Sequence, residues 1–177
     1  MLNNPNSSFI EDKKGRSRSF YYKKKNVVID TIGVLKFLKK LSNKNHEDIR
    51  ICFHASYNDK LQDMMLLQHK KNFYKPHKHT NGYDTYSIKE GVLGVVIFSN
   101  VGKITKHFKL EKNNIYKTPI NKYHVTFPLT TRVIYHEYKS GKFNRITNCK
   151  FPKWCPKNTQ EIKTFKLLLN NKFHEKN

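Results

Sequence analysis

The chain has few cysteines, which argues against a disulfide-stabilised secreted protein. It also has no long hydrophobic segment, which argues against a membrane-spanning protein. Its three cysteines, Cys52, Cys149 and Cys155, are odd in number and form no C-x-x-C spacing, so free thiols in a reducing compartment are expected. No run of about 18 apolar residues occurs, and the amino-terminal residues Met-Leu-Asn-Asn-Pro lack a positively charged start that leads into an apolar segment. The sequence therefore predicts a cytoplasmic protein without a membrane span.

Arginine is also scarce, although the chain is strongly basic. It has 35 Lys and Arg residues against 13 Asp and Glu residues, a formal net charge of +22 that favours contact with polyanions. Only five of the basic residues are arginines, and arginine is the residue usually used for planar, bidentate phosphate contacts. Because the lysines are also spread along the chain, specific nucleic-acid binding is not expected. Non-specific attraction through the basic surface is the weaker alternative.

The hydrophobic pattern divides the 177 residues into four parts that together suit a single domain. Residues 1–29 are polar and basic and predict a flexible arm. Residues 30–45 predict a helix, because Asp30 is a favoured N-cap and apolar side chains follow it at helical spacing. Residues 46–157 predict a β-domain. Residues 158–177 predict a helix and tail, which begin with the capping-box pattern Asn158-Thr-Gln-Glu161.

Short β-favouring runs fill the third part, and no helical pattern lies between them. The runs are 50–55, 63–69, 73–77, 85–89, 92–98, 103–110, 115–118, 123–127 and 132–139. Many short strands without intervening helices indicate a sandwich or barrel, so the predicted fold class is all-β with one helix before and one after the β-domain.

Three histidines and one acid within this β-domain are spaced as metal ligands would be. His77 and His79 alternate, so on a strand both side chains point to the same face. The turn-forming pair Asn81-Gly82 then allows the chain to reverse and to bring Asp84 to the same point. His124 follows on a separate β-favouring run. The sequence therefore predicts a metal site of His77, His79, Asp84 and His124.

The order of these residues resembles the two motifs of the cupin superfamily, G-x5-H-x-H-x3/4-E-x6-G and G-x5-P-x-G-x2-H-x3-N. The matching positions are His77, His79, Gly91, Pro119 and His124. The resemblance implies a cupin-type double-stranded β-helix, or jelly-roll barrel. It also implies one divalent ion, for which Fe, Mn, Ni and Zn all suit imidazole ligands.

The departures from these motifs bear on the turns and on the acid. The glycine positions hold Lys71, Asn113 and Asn121, and Pro128 stands at the final asparagine. Asparagine tolerates positive φ, so the two turns of the second motif are expected to be kept. The side chain of Asp84 is one methylene shorter than that of the glutamate in the motif. For all four groups to coordinate the ion, either the ion has to shift or the turn has to tighten. A three-histidine site with a more distant acid is the open alternative.

Within the cupins, residues 46–157 are similar to the WbuC-type metalloproteins. The segments that carry this resemblance are Arg50–His54, Asp84–Phe98 and, most specifically, the Phe-x-x-Trp-x-Pro pattern of Phe151–Pro156. The resemblance implies a metal-binding protein linked to surface-polysaccharide (O-antigen) biosynthesis. Trp154 is expected to pack on the rim of the barrel.

These observations predict a small-molecule binding site but leave its chemistry open. The candidate catalytic residues are Tyr86, Tyr123 and Glu137, and the candidate pocket residues are Arg50, His54 and His136. The expected ligand is a sugar-like or carboxylated metabolite. If the protein is an enzyme, it is expected to be a metal-dependent isomerase, epimerase or oxygenase-like cupin. The alternative is a non-catalytic cupin that binds a saccharide or a partner protein, and exposed sheet edges favour a homodimer in either case.

Overall fold

The computed structural model describes residues 9–12, 17–23, 28–45, 47–56, 58–141, 144 and 148–174. The helices that the structure describes in full are α1 (Thr31–Asn45) and α2 (Thr159–Lys172). The strands are β1 (Phe9–Asp12), β2 (Arg18–Tyr22), β3 (Ile49–Cys52), β4 (Leu61–His69), β5 (Lys78–His79), β6 (Asp84–Glu90), β7 (Leu93–Phe98), β8 (Ile104–Leu110), β9 (Ile115–Lys117), β10 (Tyr123–Pro128), β11 (Arg132–Ser140) and β12 (Cys149–Lys150). Neither helix is long and apolar enough to cross a membrane.

Two main sheets form the β-domain. The larger has seven strands in the order β1-β2-β3-β4-β11-β6-β9, and the smaller has three in the order β10-β7-β8. All neighbouring strands are antiparallel except β2 and β3, and a short pair of β5 and β12 lies apart from both sheets. This arrangement, with one helix before and one after the strands that carry the site, confirms the predicted all-β double-stranded β-helix fold.

The apolar side chains form three separate clusters, because each main sheet has two covered faces. The cluster between the sheets includes Met64, Leu66, Tyr86, Ile88, Val95, Ile97, Val133 and Tyr135. A second cluster packs α1 on the outer face of the larger sheet through Val34, Phe37, Leu38, Ile51, Leu67 and Ile134. A third packs α2 on the smaller sheet through Val96, Phe98, Val125, Leu169 and Phe173. The second and third clusters lie on the outer faces of the sheets. Polar residues share the space between the sheets with the first cluster.

Both predicted helices are confirmed, and so are their caps. Asp30 Oδ1 accepts a hydrogen bond from the backbone N–H of Gly33 at 3.0 Å, as an N-cap does. At α2, Asn158 Oδ1 accepts from the N–H of Glu161 at 2.9 Å, and Glu161 Oε2 accepts from the N–H of Lys157 at 2.7 Å. The carboxylate thus satisfies the N–H group of the residue that precedes the N-cap.

The prediction of a flexible arm is wrong for β1 and β2. Phe9 stacks on Phe37 of α1 at 4.7 Å, and Phe20 meets the same ring edge-on at 5.4 Å. Burial of these aromatic rings offsets the entropic cost of ordering the backbone. The composition of the segment is dominated by its charges, so the composition alone predicts a flexible arm. Residues 1–8, 13–16 and 24–27 of that arm lie outside the described ranges.

The predicted strand at 73–77 is also wrong. The segment has no strand, and only His77 forms an isolated bridge, with His124. Pro76 explains the difference, because proline has no N–H to give to a ladder.

Asn113 and Asn121 adopt positive φ values of 71° and 59°, as their glycine-replacing positions predict. Changing Asn113 to Gly is expected to leave stability nearly unchanged. Changing it to Val is expected to lower the free energy of unfolding by about 1–2 kcal/mol, because a β-branched side chain clashes with the backbone in this region. Asn113 is exposed, so packing does not contribute. Urea denaturation measures the difference, with Lys112→Val as the exposed neighbouring control, and equal losses in the two valine variants would contradict it.

Candidate metal centre

The structure brings His77, His79, Asp84 and His124 together. One potential ligand atom from each of the four lies within 4.8 Å of the others. His77 and His124 face each other in the isolated bridge, where each backbone N–H donates to the other residue's carbonyl, at 2.9 Å and 2.8 Å. His79 lies two residues further along and Asp84 begins β6, so the main chain fixes where all four side chains start.

Each imidazole of this group is oriented by a backbone carbonyl. The Nδ1 atom of His77 lies 2.9 Å from Lys75 O, that of His79 lies 3.2 Å from Asn148 O, and that of His124 lies 3.0 Å from Lys122 O. A carbonyl only accepts hydrogen bonds, so Nδ1 carries the proton in each ring. The Nε2 atom of each neutral ring therefore has a free lone pair, the state that a metal ligand requires.

The Nε2 atoms of His79 and His124 are buried and have no hydrogen-bond partner among the described residues. His79 Nε2 lies 2.8 Å from Asp84 Oδ2, without the alignment of a hydrogen bond. Two lone-pair atoms at this separation repel each other unless a cation lies close to both. The donor set therefore fits a divalent transition-metal ion.

The environment keeps two of these rings neutral. Burial, with the neighbouring histidines, lowers the pKa of His77 to about 3. Burial likewise lowers the pKa of His124 to about 4. Both side chains are thus unprotonated at neutral pH, and no proton has to be displaced before they bind a metal ion.

A lysine that sequence reasoning missed contacts the acid of the group. Lys139 Nζ lies 3.1 Å from Asp84 Oδ1 and 3.9 Å from Glu137 Oε1. The hydroxyl of Tyr86 donates to Asp84 Oδ2 at 3.2 Å. The only signal in the sequence was the alternation of Glu137 and Lys139 on one strand, which places both side chains on the face that carries Tyr86 and Asp84.

These charges shift one another's pKa values. Burial alone would raise the pKa of Asp84, but the Lys139 ammonium holds it below its usual range. Burial alone would lower the pKa of Lys139, but the carboxylates of Asp84 and Glu137 raise it. Burial raises the pKa of Glu137, and the charge of Asp84 raises it further. Asp84 and Lys139 therefore form an ion pair, beside which Glu137 holds a proton more readily than an exposed glutamate does.

A cavity of about 390 Å³ lies beside His77 and Asp84, between the two main sheets. Its lining includes His77, Asp84, Arg50, Gln68, Tyr86, Thr126, Tyr135, Glu137, Lys139 and Cys149. The sequence-predicted residues Arg50, Tyr86 and Glu137 thus reach the cavity. Its volume suits a small molecule.

The other three candidate residues, Tyr123, His54 and His136, are not among the residues that line this cavity. His136 precedes the inward Glu137, so strand alternation turns it outward, where it pairs with Asp63. Tyr123 precedes the inward His124 and packs against Trp154, with ring centroids 5.8 Å apart. His54 lies beyond the end of β3, where its Nδ1 is 2.9 Å from the carbonyl oxygen of Asp63 and 3.1 Å from its backbone nitrogen.

Trp154 lies at the rim of the smaller sheet, as expected. Its indole N–H donates to Asn100 O at 3.0 Å, and its ring packs on Phe98 and against Gly102. Gly102 has a φ of 88°, and a Cβ there would lie 3.0 Å from the indole ring. The tryptophan therefore fixes the hairpin between β7 and β8 and does not reach the cavity.

Comparisons with known proteins give a partial family match and several similar folds. A family model described as a domain of unknown function (DUF6016) matches residues 36–110, from α1 to the end of β8. No curated protein matches the sequence. An uncharacterized conserved protein with a double-stranded β-helix domain from Klebsiella pneumoniae is 15% identical, with a TM-score of 0.48, over 62% of this chain and 83% of that one.

Two longer proteins share the same likeness over part of their length. Oxalate decarboxylase from Lactobacillus farciminis is 12% identical, with a TM-score of 0.43, over 52% of this chain and 27% of that chain. The 11S globulin procruciferin from Brassica napus is 12% identical, with a TM-score of 0.41, over 47% of this chain and 21% of that chain. The chain spans only about a quarter of the length of these two relatives.

Proposed function

We propose that the protein is a metal-binding cupin whose His77, His79 and His124 hold one divalent transition-metal ion. The observation that supports this most directly is the common orientation of the three rings, each with its Nδ1 on a backbone carbonyl. Metal-ligating histidines are usually fixed in this way, because the second hydrogen bond sets both the tautomer and the ring direction. Fe, Mn, Ni and Zn all suit such a site.

Asp84 is assigned to the neighbourhood of the ion and not to the core of the ligand set. Its Oδ1 contacts Lys139, and its Oδ2 accepts from Tyr86, so both oxygens already have cationic or donor neighbours. The three-histidine alternative is therefore favoured over a site with four equal ligands. The shorter aspartate side chain in place of the glutamate of the motif agrees with this arrangement.

In this site a bound divalent ion would act as a Lewis acid towards a carbonyl or hydroxyl group. The residues of the chain supply the remaining functions. Arg50 and Lys139 place positive charge on the cavity wall, which favours a carboxylated or sugar-like ligand. Glu137 is buried, lines the cavity and has a raised pKa, so it is the candidate to hold or transfer a proton. The reactions that fit these groups are an isomerisation, an epimerisation or an oxygenase-like reaction.

The finer assignment is to a WbuC-type cupin linked to surface-polysaccharide biosynthesis, and it is supported by the motif of Phe151–Pro156. All three cysteines are free, which supports the proposed cytoplasmic location. Pairing of two copies through an open sheet edge is proposed on the general tendency of exposed edges to associate.

A non-catalytic cupin is the second candidate, and the Lys139–Asp84 ion pair is the observation in its favour. An acid that a lysine already neutralises is less available as a general base or as a metal ligand. Changing Asp84 to Glu separates the two candidates. In an enzyme the change alters metal affinity or turnover. In a saccharide-binding or protein-binding cupin that does not need the carboxylate, both quantities stay unchanged.

Metal titration of the chelated, dialysed protein tests the principal proposal. We expect one equivalent of Zn²⁺, Ni²⁺ or Mn²⁺ to bind, and the free energy of unfolding to rise by about 2.7 kcal/mol when the free ion is at about 100 times its dissociation constant. Mg²⁺ and Ca²⁺ are the matched controls, because they prefer oxygen ligands and should bind weakly. Elemental analysis gives the stoichiometry. A protein that binds no ion and whose stability does not change would refute the proposal.

A further inference from the structure

Two polar groups in the wall of the cavity are not used by the metal centre. Arg50 on β3 and Gln68 on β4 both line the cavity, and their Nε and Oε1 atoms are buried without a hydrogen-bond partner in the described parts of the chain. Arg50 lies opposite Leu66 in the sheet, and Gln68 follows Leu66 by two residues. Strand alternation therefore places Arg50 and Gln68 as diagonal neighbours on the same inner face.

These groups are costly to bury unless a ligand satisfies them. A guanidinium is always charged, and leaving a buried donor unpaired costs about 1–3 kcal/mol, more for a charged group. No carboxylate of the described residues forms an ion pair with Arg50, although Glu137 lines the same cavity. The wall therefore presents a charged donor whose planar geometry matches a carboxylate.

The amide of Gln68 adds a second requirement. A hydroxyl group both donates and accepts hydrogen bonds, so it satisfies the amide in either of its two orientations. Because Gln68 is next to Arg50 on the sheet face, the hydroxyl has to lie close to the carboxylate in the ligand. A cavity of about 390 Å³ holds a molecule with several more carbon atoms beyond these two groups.

We infer that Arg50 and Gln68 form the recognition site for a small hydroxy acid, with the carboxylate on Arg50 and a hydroxyl on Gln68. The inference rests on the proposed function in one respect, namely that the remainder of the ligand then extends towards His77, which lines the same cavity. It deepens that proposal from a carboxylated or sugar-like metabolite to one that carries both groups next to each other.

Three six-carbon probes test this on the full chain by isothermal titration calorimetry. Gluconate has a carboxylate and hydroxyls, hexanoate has only the carboxylate, and glucitol has only hydroxyls. Gluconate is expected to bind most tightly. Arg50→Gln should weaken gluconate binding about tenfold to a hundredfold, since it removes a charge-assisted hydrogen bond. Gln68→Met should weaken gluconate binding but not hexanoate binding.

Controls separate this site from the metal and from misfolding. Arg132→Gln changes an arginine on the surface, where it faces Glu90, and should leave gluconate binding unchanged. Arg50→Lys keeps the charge but loses the planar fork, and should fall between wild type and Arg50→Gln. Circular dichroism verifies the fold of each variant.

The same titrations on metal-free protein distinguish failure of this inference from failure of the proposed function. Arg50-dependent gluconate binding that persists without metal supports the inference, even if the protein takes up no ion. Gluconate binding that needs the ion and ignores Arg50 overturns the inference and leaves the metal site standing. Equal affinity for the three probes, or no binding at millimolar concentration, also overturns it.

Discussion

Replacing His124 by alanine is expected to abolish stoichiometric metal binding, with a loss of affinity of more than about 100-fold. Removing a residue that merely orients a ligand typically costs about 10- to 100-fold, so removing the ligand itself should cost more. His124 is fully buried, and its Nε2 has no partner among the described residues. Its backbone bonds to His77 do not depend on the side chain, so the strand pairing should persist. Competition with a chromophoric chelator measures the affinity.

His174→Ala is the control for this experiment. His174 is exposed after the end of α2, where only its backbone takes part in a described hydrogen bond. The variant removes one imidazole from the protein without affecting the site, and it should keep one ion per chain. Retention of a full equivalent of metal by His124→Ala, at an affinity like that of His174→Ala, would show that the histidine group is a structural cluster.

Replacing Lys139 by methionine is expected to lower the free energy of unfolding by about 3–5 kcal/mol in the metal-free protein. Methionine keeps an unbranched apolar side chain but leaves the carboxylate of Asp84 buried without its cation. Removing one partner of a buried pair costs this much because the remaining charge is uncompensated. The side chain of Asp84 is 2% exposed and that of Lys139 is 14% exposed, so solvent screens the pair weakly. Urea denaturation after chelation gives the value.

Two further variants are needed to interpret the stability of the Lys139→Met variant. Lys109→Met changes an exposed lysine on β8 and should alter stability by less than about 0.5 kcal/mol. The double variant Lys139→Met with Asp84→Leu should recover most of the loss, because no unpaired charge is then buried. A loss below about 1 kcal/mol in the single variant would mean that water reaches Asp84 and that the pair is not structural.

Part of the candidate site could be predicted from sequence because local rules determine it. Alternation places His77 and His79 on one face, and the glycine-replacing asparagines Asn113 and Asn121 adopt the positive φ that their places in the motif predict. Such features depend on a few neighbouring residues. The all-β class followed in the same way, from many short runs without helices between them.

Lys139 and the two amino-terminal strands could not be predicted, since they depend on long-range pairing. Lys139 is opposite Asp84 only because β11 and β6 pair in one particular register, and nothing in the composition separates this lysine from the many exposed ones. Likewise, β1 and β2 are ordered by contacts between Phe9, Phe20 and Phe37 of α1. A charge count cannot show that three aromatic rings from distant segments meet.

The reciprocal backbone bonds between His77 and His124 fix the spacing of two imidazoles of the candidate metal centre. Because the main chain sets the separation of these two imidazoles, the side chains around them can change without moving the rings apart. Motif positions that do not supply a ligand, such as Lys71 and Pro128, are then little constrained by the geometry of the site. A search for related sites is therefore better guided by the cross-strand pairing of two histidines than by the full motif.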